Sequence, residues 1–302
     1  MNILIAGGSG LIGQSLIDVL QHSHQLTFIG RNTHHLLKLF KHLGPCHDWH
    51  GLDDIQSSPD LIINLCGLNI GDAAWTPKIK QELIDSRVKT SEKLIQWAIK
   101  QQIKPRMMCA NAVGIYGLQN NGDEAVFTED SPIKTKNPTD FLNEIGVRWE
   151  EALRPAMEYG MPVVTTRFGV VLKKNQGILK KLNLSFYLGL GSIIGDGTQM
   201  FSWVHHKDMV RAIIFLIEHP DLTGPFNITS PHPVTQKTFA KALANSMHRP
   251  LLLTLPAVVV KLMFGEMGEC LLLRGQKVIP KRLLDAGFVF DYPTIEQALS
   301  SI

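Results

Sequence analysis

Ile3-Leu4-Ile5-Ala6-Gly7-Gly8-Ser9-Gly10-Leu11-Ile12-Gly13 stands near the N-terminal end of this 302-residue sequence and has the pattern of a strand, a glycine turn and a helix. Ile3 to Ala6 is short, apolar on both faces and ended by glycine, as in a buried parallel strand. Leu11, Ile12, Leu16, Ile17, Val19 and Leu20 then recur at helical spacing. A glycine-rich turn between strand and helix lets the backbone approach a pyrophosphate, and the helix start offers free N–H groups and partial positive charge. A phosphate-binding loop of the Walker type would need Lys after Gly13, where Gln14 stands. A nucleophile elbow would need Gly at 11, where Leu11 stands. A helix start with extra packing glycines is the remaining structural alternative. The turn therefore predicts dinucleotide binding through Gly7, Ser9, Gly10, Leu11, Ile12 and Gly13.

The next strand, Leu26 to Ile29, identifies the dinucleotide. NAD is read by a carboxylate at the end of the second strand, and NADP by a cation there. No Asp or Glu occurs from Leu26 to Asn32. Gly30-Arg31-Asn32 instead offers Arg31, 18 positions after Gly13, whose guanidinium can hold a 2′-phosphate through paired hydrogen bonds. The alternative is an exposed surface Arg. NADP(H) is the expected cofactor.

Strand and helix alternate onward: helix Thr33–Leu43, strand Leu61–Cys66 closed by Gly67, helix Pro77–Gln102, strand Met107–Ala110, helix Asp140–Tyr159, strand Val163–Thr166. This pattern predicts an α/β, doubly wound parallel sheet. Residues 1–170 read as the dinucleotide-binding domain. Residues 171–302 read as a smaller substrate-side domain, in which 226–229 returns a strand to the main sheet. No clean linker separates the two. The glycine-rich run Leu188–Gly197 is loop or short strand. Helices are expected over 208–218, 235–247, 256–264 and 280–286, with a strand over 251–255.

Composition excludes several classes. Apolar residues form 44% and charged residues 19% of the chain, with 30 basic against 27 acidic side chains and a formal charge of +3. So small an excess, without a Lys/Arg run longer than two, does not describe a nucleic-acid surface. No apolar run approaches the ~18 residues of a membrane span, and no signal peptide precedes the first strand, so a cytoplasmic protein is expected. The four cysteines, at 46, 66, 109 and 270, form no close pair and read as reduced thiols. The twelve histidines fall into groups such as His22-x-His24, His34-His35 and Cys46-His47-x-x-His50 that lack zinc spacing, and no metal is expected. His205 is set apart because it adjoins the glycine-rich run on the substrate side. Trp203 nearby is read either as a platform for a sugar or base or as a core residue. The sequence leaves monomer or homodimer open.

Further motifs carry a resemblance. These are the Gly-x-x-Gly-x-x-Gly at 7, 10 and 13, Asn64-Leu65-Cys66-Gly67, Asp85-Ser86-Arg87, Ala112-Val113-Gly114-Ile115-Tyr116-Gly117, Trp149-Glu150, Arg167 to Leu172, Trp203-Val204-His205 and Gly224-Pro225-Phe226-Asn227. Together they resemble the NAD(P)-dependent epimerase/dehydratase family of extended short-chain dehydrogenases/reductases, in the atypical epimerase-like branch once labelled cell-division inhibitor. The likeness covers nearly the whole chain. It implies cofactor contacts at Gly30, Arg31, Leu65, Cys66, Glu82, Arg87 and Val171, to which position adds Asn32, Gly67 and Ala110.

One departure matters. The superfamily's catalytic Tyr-x-x-x-Lys, whose Lys lowers the Tyr pKa, is absent. The residues four places after Tyr116, Tyr159, Tyr187 and Tyr292 are Asn120, Val163, Gly191 and Glu296, and the expected stretch reads Phe141 to Gly146. Asn111 replaces the partner Ser. The remaining proton donor of choice is Tyr116, with Asn111 to orient a carbonyl oxygen, unless Tyr116 only packs on the nicotinamide ring. Two functions stay open: an oxidoreductase or epimerase acting on a small or nucleotide-linked substrate, and a catalytically silent NADPH-binding sensor.

Overall fold

The computed structural model describes all 302 residues, Met1–Ile302. Its first part runs β1 (Asn2–Ala6), α1 (Leu11–Leu20), β2 (Gln25–Gly30), α2 (Thr33–Phe40), β3 (Cys46–Asp48), β4 (Leu61–Asn64), α3 (Pro77–Lys100), β5 (Arg106–Ala112), α4 (Phe141–Glu151), α5 (Arg154–Tyr159) and β6 (Val163–Phe168). The second part runs β7 (Val170–Leu172), α6 (Gly177–Tyr187), β8 (Ser192–Ile194), β9 (Met200–Phe201), β10 (Trp203–His205), α7 (His206–Glu218), β11 (Gly224–Ile228), β12 (Val234–Thr235), α8 (Gln236–Ser246), β13 (Leu253–Leu255), α9 (Ala257–Gly268), α10 (Lys281–Asp285) and α11 (Ile295–Ser300).

Seven strands form one sheet in the order β3-β2-β1-β4-β5-β6-β11, and every neighbouring pair is parallel. The order reverses between β1 and β4. Open sheets of this kind bind their ligands in the crevice outside the carboxyl ends of the strands at that reversal. β11 comes from the second part of the chain and lies against β6, with Phe226 beside Thr166.

The unbroken apolar runs follow from burial on both faces. Ile3 and Ile5 of β1 point into a core with Leu16 and Ile17 of α1, Phe28 of β2 and Met209, Ile213 and Leu216 of α7. Leu4 and Ala6, between them, point into an opposite core with Leu94, Ile95 and Ala98 of α3 and Ala156 of α5. Each fully buried side chain of this size stabilises the fold by about 1.5–3 kcal/mol, so slipping β1 by one residue is strongly disfavoured. A third core joins α6, α8 and α11 around Trp203, Phe239 and Leu299. The single helix expected over 140–159 is two, because Pro155 lies in the first turn of α5 and restarts the helix after Leu153. β3 has no counterpart among the strands expected from the sequence. No helix is long and apolar enough to cross a membrane.

Candidate functional site

The glycine turn sits at the carboxyl end of β1, hard against the segment after β4. Gly7 has φ +80°, and a Cβ there would lie 2.6 Å from the Leu65 carbonyl carbon and 2.8 Å from the Cys66 nitrogen. A Cβ on Gly13 would lie 2.6 Å from Gly8 Cα. These two glycines are demanded by the turn and by the closeness of helix to strand. Gly10 differs: its backbone is extended, φ −77° and ψ 172°, and a Cβ would meet only Gly7 O at 3.5 Å. Nothing in the fold requires glycine at this exposed position. No side chain caps α1, so its first N–H groups face outward over Gly10. A bare, uncapped helix start beside an open glycine is the geometry a pyrophosphate fits.

The segment after β4 is held by Asn64, whose Oδ1 accepts from Cys66 N at 3.1 Å while its Nδ2 donates to Ser91 Oγ at 3.0 Å. Cys66 lies within the electrostatic reach of Arg31, but burial prevails and pushes its thiol up to about 12. Arg31 itself is exposed just after β2 and, unlike its neighbour Asn32, has no hydrogen-bond or ion-pair partner. Asn32 caps α2, accepting from His35 N at 2.9 Å. Val171 stands at the far rim, where its carbonyl and Leu11 both neighbour Gly177. Ala110 is buried in β5. Glu82 is on the exposed side of α3, 3.9 Å from Lys78. Gly67 packs on Arg87: a Cβ there would lie 3.2 Å from the guanidinium carbon.

Beyond β4, β5 and β6 lies a cavity of about 270 Å³. Ile70 and Arg87 line it from one side, Asn111 to Gly114 from the end of β5, and Leu142, Gly146 and Trp149 from α4. Cys270, Leu271, Arg274 and Gln276 close it from the C-terminal segment. Leu142 and Gly146 are four residues apart on the cavity face of α4, and Gly146 has no room for a side chain, since a Cβ would lie 2.7 Å from that of Ile115. Its titratable side chains are Arg87, Cys270 and Arg274 alone. Burial lowers the Arg87 guanidinium to about 10 and lifts the Cys270 thiol to about 12, so neither exchanges a proton readily at neutral pH.

The two catalytic candidates are committed elsewhere. Tyr116 is not part of the cavity wall; its ring stacks on Phe127 at 5.3 Å. Its hydroxyl donates to Asn227 Oδ1 at 2.8 Å and accepts from Arg167 at 2.9 Å. Burial raises its pKa, with the Arg167 charge opposing. Asn111 does reach the wall, but its Nδ2 serves Gly146 O at 3.0 Å and Glu150 Oε1 at 3.2 Å, while its Oδ1 accepts from Ala112 N. Glu150 also grips Arg167 with both oxygens, at 2.7 and 2.8 Å. Tyr116 and Asn111 are thus the ends of one buried network that ties β5, β6, α4 and β11 together. Both side chains have their hydrogen-bonding partners within that network, and Tyr116 stands outside the cavity while Asn111 reaches its wall.

The two substrate-side candidates, Trp203 and His205, lie away from the cavity wall. Trp203 is fully buried in the third core. His205 is 1% exposed, stacked on Tyr292 at 3.9 Å with Nε2 3.2 Å from Ser301 Oγ, and it does not line the cavity. The residues that do line it were missed at 270–276, because Cys-Leu-Leu-Leu-Arg-Gly-Gln carries no motif and only the folded chain brings it over the sheet. No three metal-ligating side chains come together anywhere.

The model of the NAD dependent epimerase/dehydratase family matches residues 3–229, and a domain of unknown function (DUF1731) matches 255–302. The chain is similar to an epimerase family protein of Mycobacterium bovis, with 39% identity over 302 residues covering 98% of this chain and 96% of the relative. It is 35% identical over 308 residues to the epimerase family protein YfhF of Bacillus subtilis, covering 100% and 98%. Among solved structures, human epimerase family protein SDR39U1 (isoform 2) with NADPH superposes with a TM-score of 0.87 at 30% identity, covering 100% and 99%. UDP-glucose 4-epimerase of Thermotoga maritima, at 17% identity and a TM-score of 0.77 over 99% and 96%, shares the fold. On the matched residues and these identities, the chain belongs to the NAD dependent epimerase/dehydratase family.

Proposed function

We propose that the protein binds NADP(H) in the crevice between β1 and β4 and is an oxidoreductase acting on a small substrate in the adjoining cavity. The observation that carries the cofactor reading is Arg31, an exposed, unpartnered guanidinium at the end of β2 with no carboxylate beside it. The NADPH of the human relative supports the same choice. Gly7, Gly10 and Gly13 with the start of α1 would hold the pyrophosphate, Gly30 and Arg31 the 2′-phosphorylated ribose, and Leu65 and Cys66 the crevice wall. When bound, the cofactor supplies or accepts a hydride.

Oxidoreduction is preferred to epimerisation because of the cavity wall. Epimerisation through a ketone needs a side chain that takes a hydroxyl proton and later returns it. The wall has no carboxylate, Tyr, His or Lys to do so. A reductase can take its proton from water. The same feature favours a second reading, a silent NADPH-binding protein that reports cofactor level to a partner, and this second class needs no turnover. Stopped-flow oxidation of bound NADPH across a library of small carbonyl compounds separates them: a saturable, compound-dependent transient supports the enzyme. A flat response across the library with NADPH bound favours the sensor. Cytoplasmic residence and homodimer formation belong to the same proposal and are tested by fractionation and by light scattering.

A further inference from the structure

The cavity is unbalanced in its hydrogen-bonding groups. Arg87 and Arg274 bring two guanidinium charges to its wall and no carboxylate answers them there. Arg87 spends its bonds on neutral acceptors, Leu83 O at 2.9 Å and Leu68 O at 3.0 Å. Arg274 donates once, to Asn120 Oδ1 at 2.7 Å. Two further donors in the wall, Trp149 Nε1 and Gln276 Nε2, are buried without any partner. Gln276 is 7% exposed. Two side-chain acceptors of the wall are already engaged: Ser202 Oγ donates to Gln276 O and accepts from Val278 N, and Asn111 Oδ1 accepts from Ala112 N. Buried donors without acceptors are costly, and a buried cation without a counter-charge, as Arg87 is, more so; Arg274 is half-buried. What completes such a wall is an acceptor that carries negative charge.

The geometry divides the cations. Arg87 belongs to the β4–α3 side, beside Gly67 and the cofactor crevice. Arg274 and Gln276 belong to the segment that closes the cavity. Arg274 is extended, with φ −130° and ψ 167°, and Gly275 bridges to Gln119 in antiparallel fashion. Residues two apart on an extended chain share a face, so Arg274 and Gln276 present a charged fork and an amide side by side. The room is small. Its 270 Å³ lies just below the ~300–1,000 Å³ usual for drug-sized ligands.

Resting on the proposed oxidoreductase reading, we propose that the substrate is a small organic carboxylate, an oxo acid rather than a nucleotide-linked sugar, whose carboxylate is held by Arg274 and Gln276. The apolar walls from Leu142, Val113 and Leu271 take its short carbon chain, and its carbonyl end faces the cofactor side.

The test uses the full-length protein saturated with NADPH and, separately, free of nucleotide. 2-Oxopentanoate, its neutral counterpart pentan-2-one and inorganic phosphate are the probes, with binding read by calorimetry and saturation-transfer NMR. 2-Oxopentanoate is expected to bind at least tenfold more tightly than pentan-2-one. Arg274→Met should remove that preference, weakening the oxo acid about 10- to 100-fold. Gln276→Met, which breaks no hydrogen bond of its side chain, should weaken it several-fold. Equal binding of acid and ketone to the unmutated protein overturns the proposal, as does phosphate binding more tightly than the oxo acid. NADPH titrated into the same samples reports the cofactor reading separately, so failure to bind NADPH is distinguishable from failure to bind the carboxylate.

Discussion

Replacing Gly10 by Val should abolish NADPH binding while leaving the fold intact. The Gly10 φ of −77° and ψ of 172° suit any L residue, and a Cβ finds only Gly7 O, at 3.5 Å. The cost to folding is therefore confined to exchanging one weak cap for another, a few tenths of a kcal/mol to ~1 kcal/mol. The branch, however, fills the space through which a pyrophosphate reaches the first N–H groups of α1. Each charge-assisted hydrogen bond lost is worth about 1.5–3 kcal/mol. Two of them amount to about 3–6 kcal/mol, or more than ~100-fold in affinity. Gly13→Ala is the informative control, because its Cβ meets Gly8 Cα at 2.6 Å. Overpacking of that kind costs about 1–3 kcal/mol and lowers the melting temperature by several degrees. Calorimetric titration with NADPH and a thermal melt on each variant give the two readouts. A Gly10→Val protein that binds NADPH within about threefold of the parent would refute the placement of the phosphate.

Arg31→Ala should weaken NADPH by about 1.5–3 kcal/mol and leave NADH nearly unchanged, a difference read by parallel titrations. Tyr116→Phe should cost about 1–3 kcal/mol of stability, because it leaves Arg167 and Asn227 without their buried partner, and it should not alter NADPH affinity; urea unfolding and calorimetry check the two halves. Burial pushes His205 down to about 3, so the folded protein keeps this ring neutral while the unfolded chain protonates it near ~6.5. Stability from this group is present above about pH 6.5 and is lost as pH falls toward 3, on the order of 2 kcal/mol between pH 7 and 5. Urea midpoints at the two pH values should diverge less in His205→Phe; an unchanged divergence would clear His205 of the effect.

The parallel sheet was legible because its strands are buried on both faces. Ile3 to Ala6, Leu61 to Ile63 and Met107 to Ala110 are apolar at every position, and the helices between them carry one apolar stripe. β3 escaped because three half-buried residues, Cys46, His47 and Asp48, show no period at all. The glycine turn was legible because its constraint is local, within seven residues. The substrate side was not. Tyr116 was expected as the proton donor, but its direction is set by Arg167, 51 residues on, and Asn227, 111 residues on. Trp203 and His205 follow a glycine-rich run that reads as loop or short strand, and β10 pairs with β7 and carries both inward. The Arg274–Gln276 pair is invisible in sequence because its meaning depends on Trp149 and Arg87, which only the fold places across from it.

Arg31 is expected to make the protein prefer NADP(H) to NAD(H). Isothermal titration of the unmutated protein with NADPH and with NADH, at one fixed salt concentration, measures this preference. The expected result is NADPH tighter by at least ~10-fold, the lower end of what a charge-assisted 2′-phosphate contact supplies. Equal affinities, or NADH the tighter of the two, would contradict it.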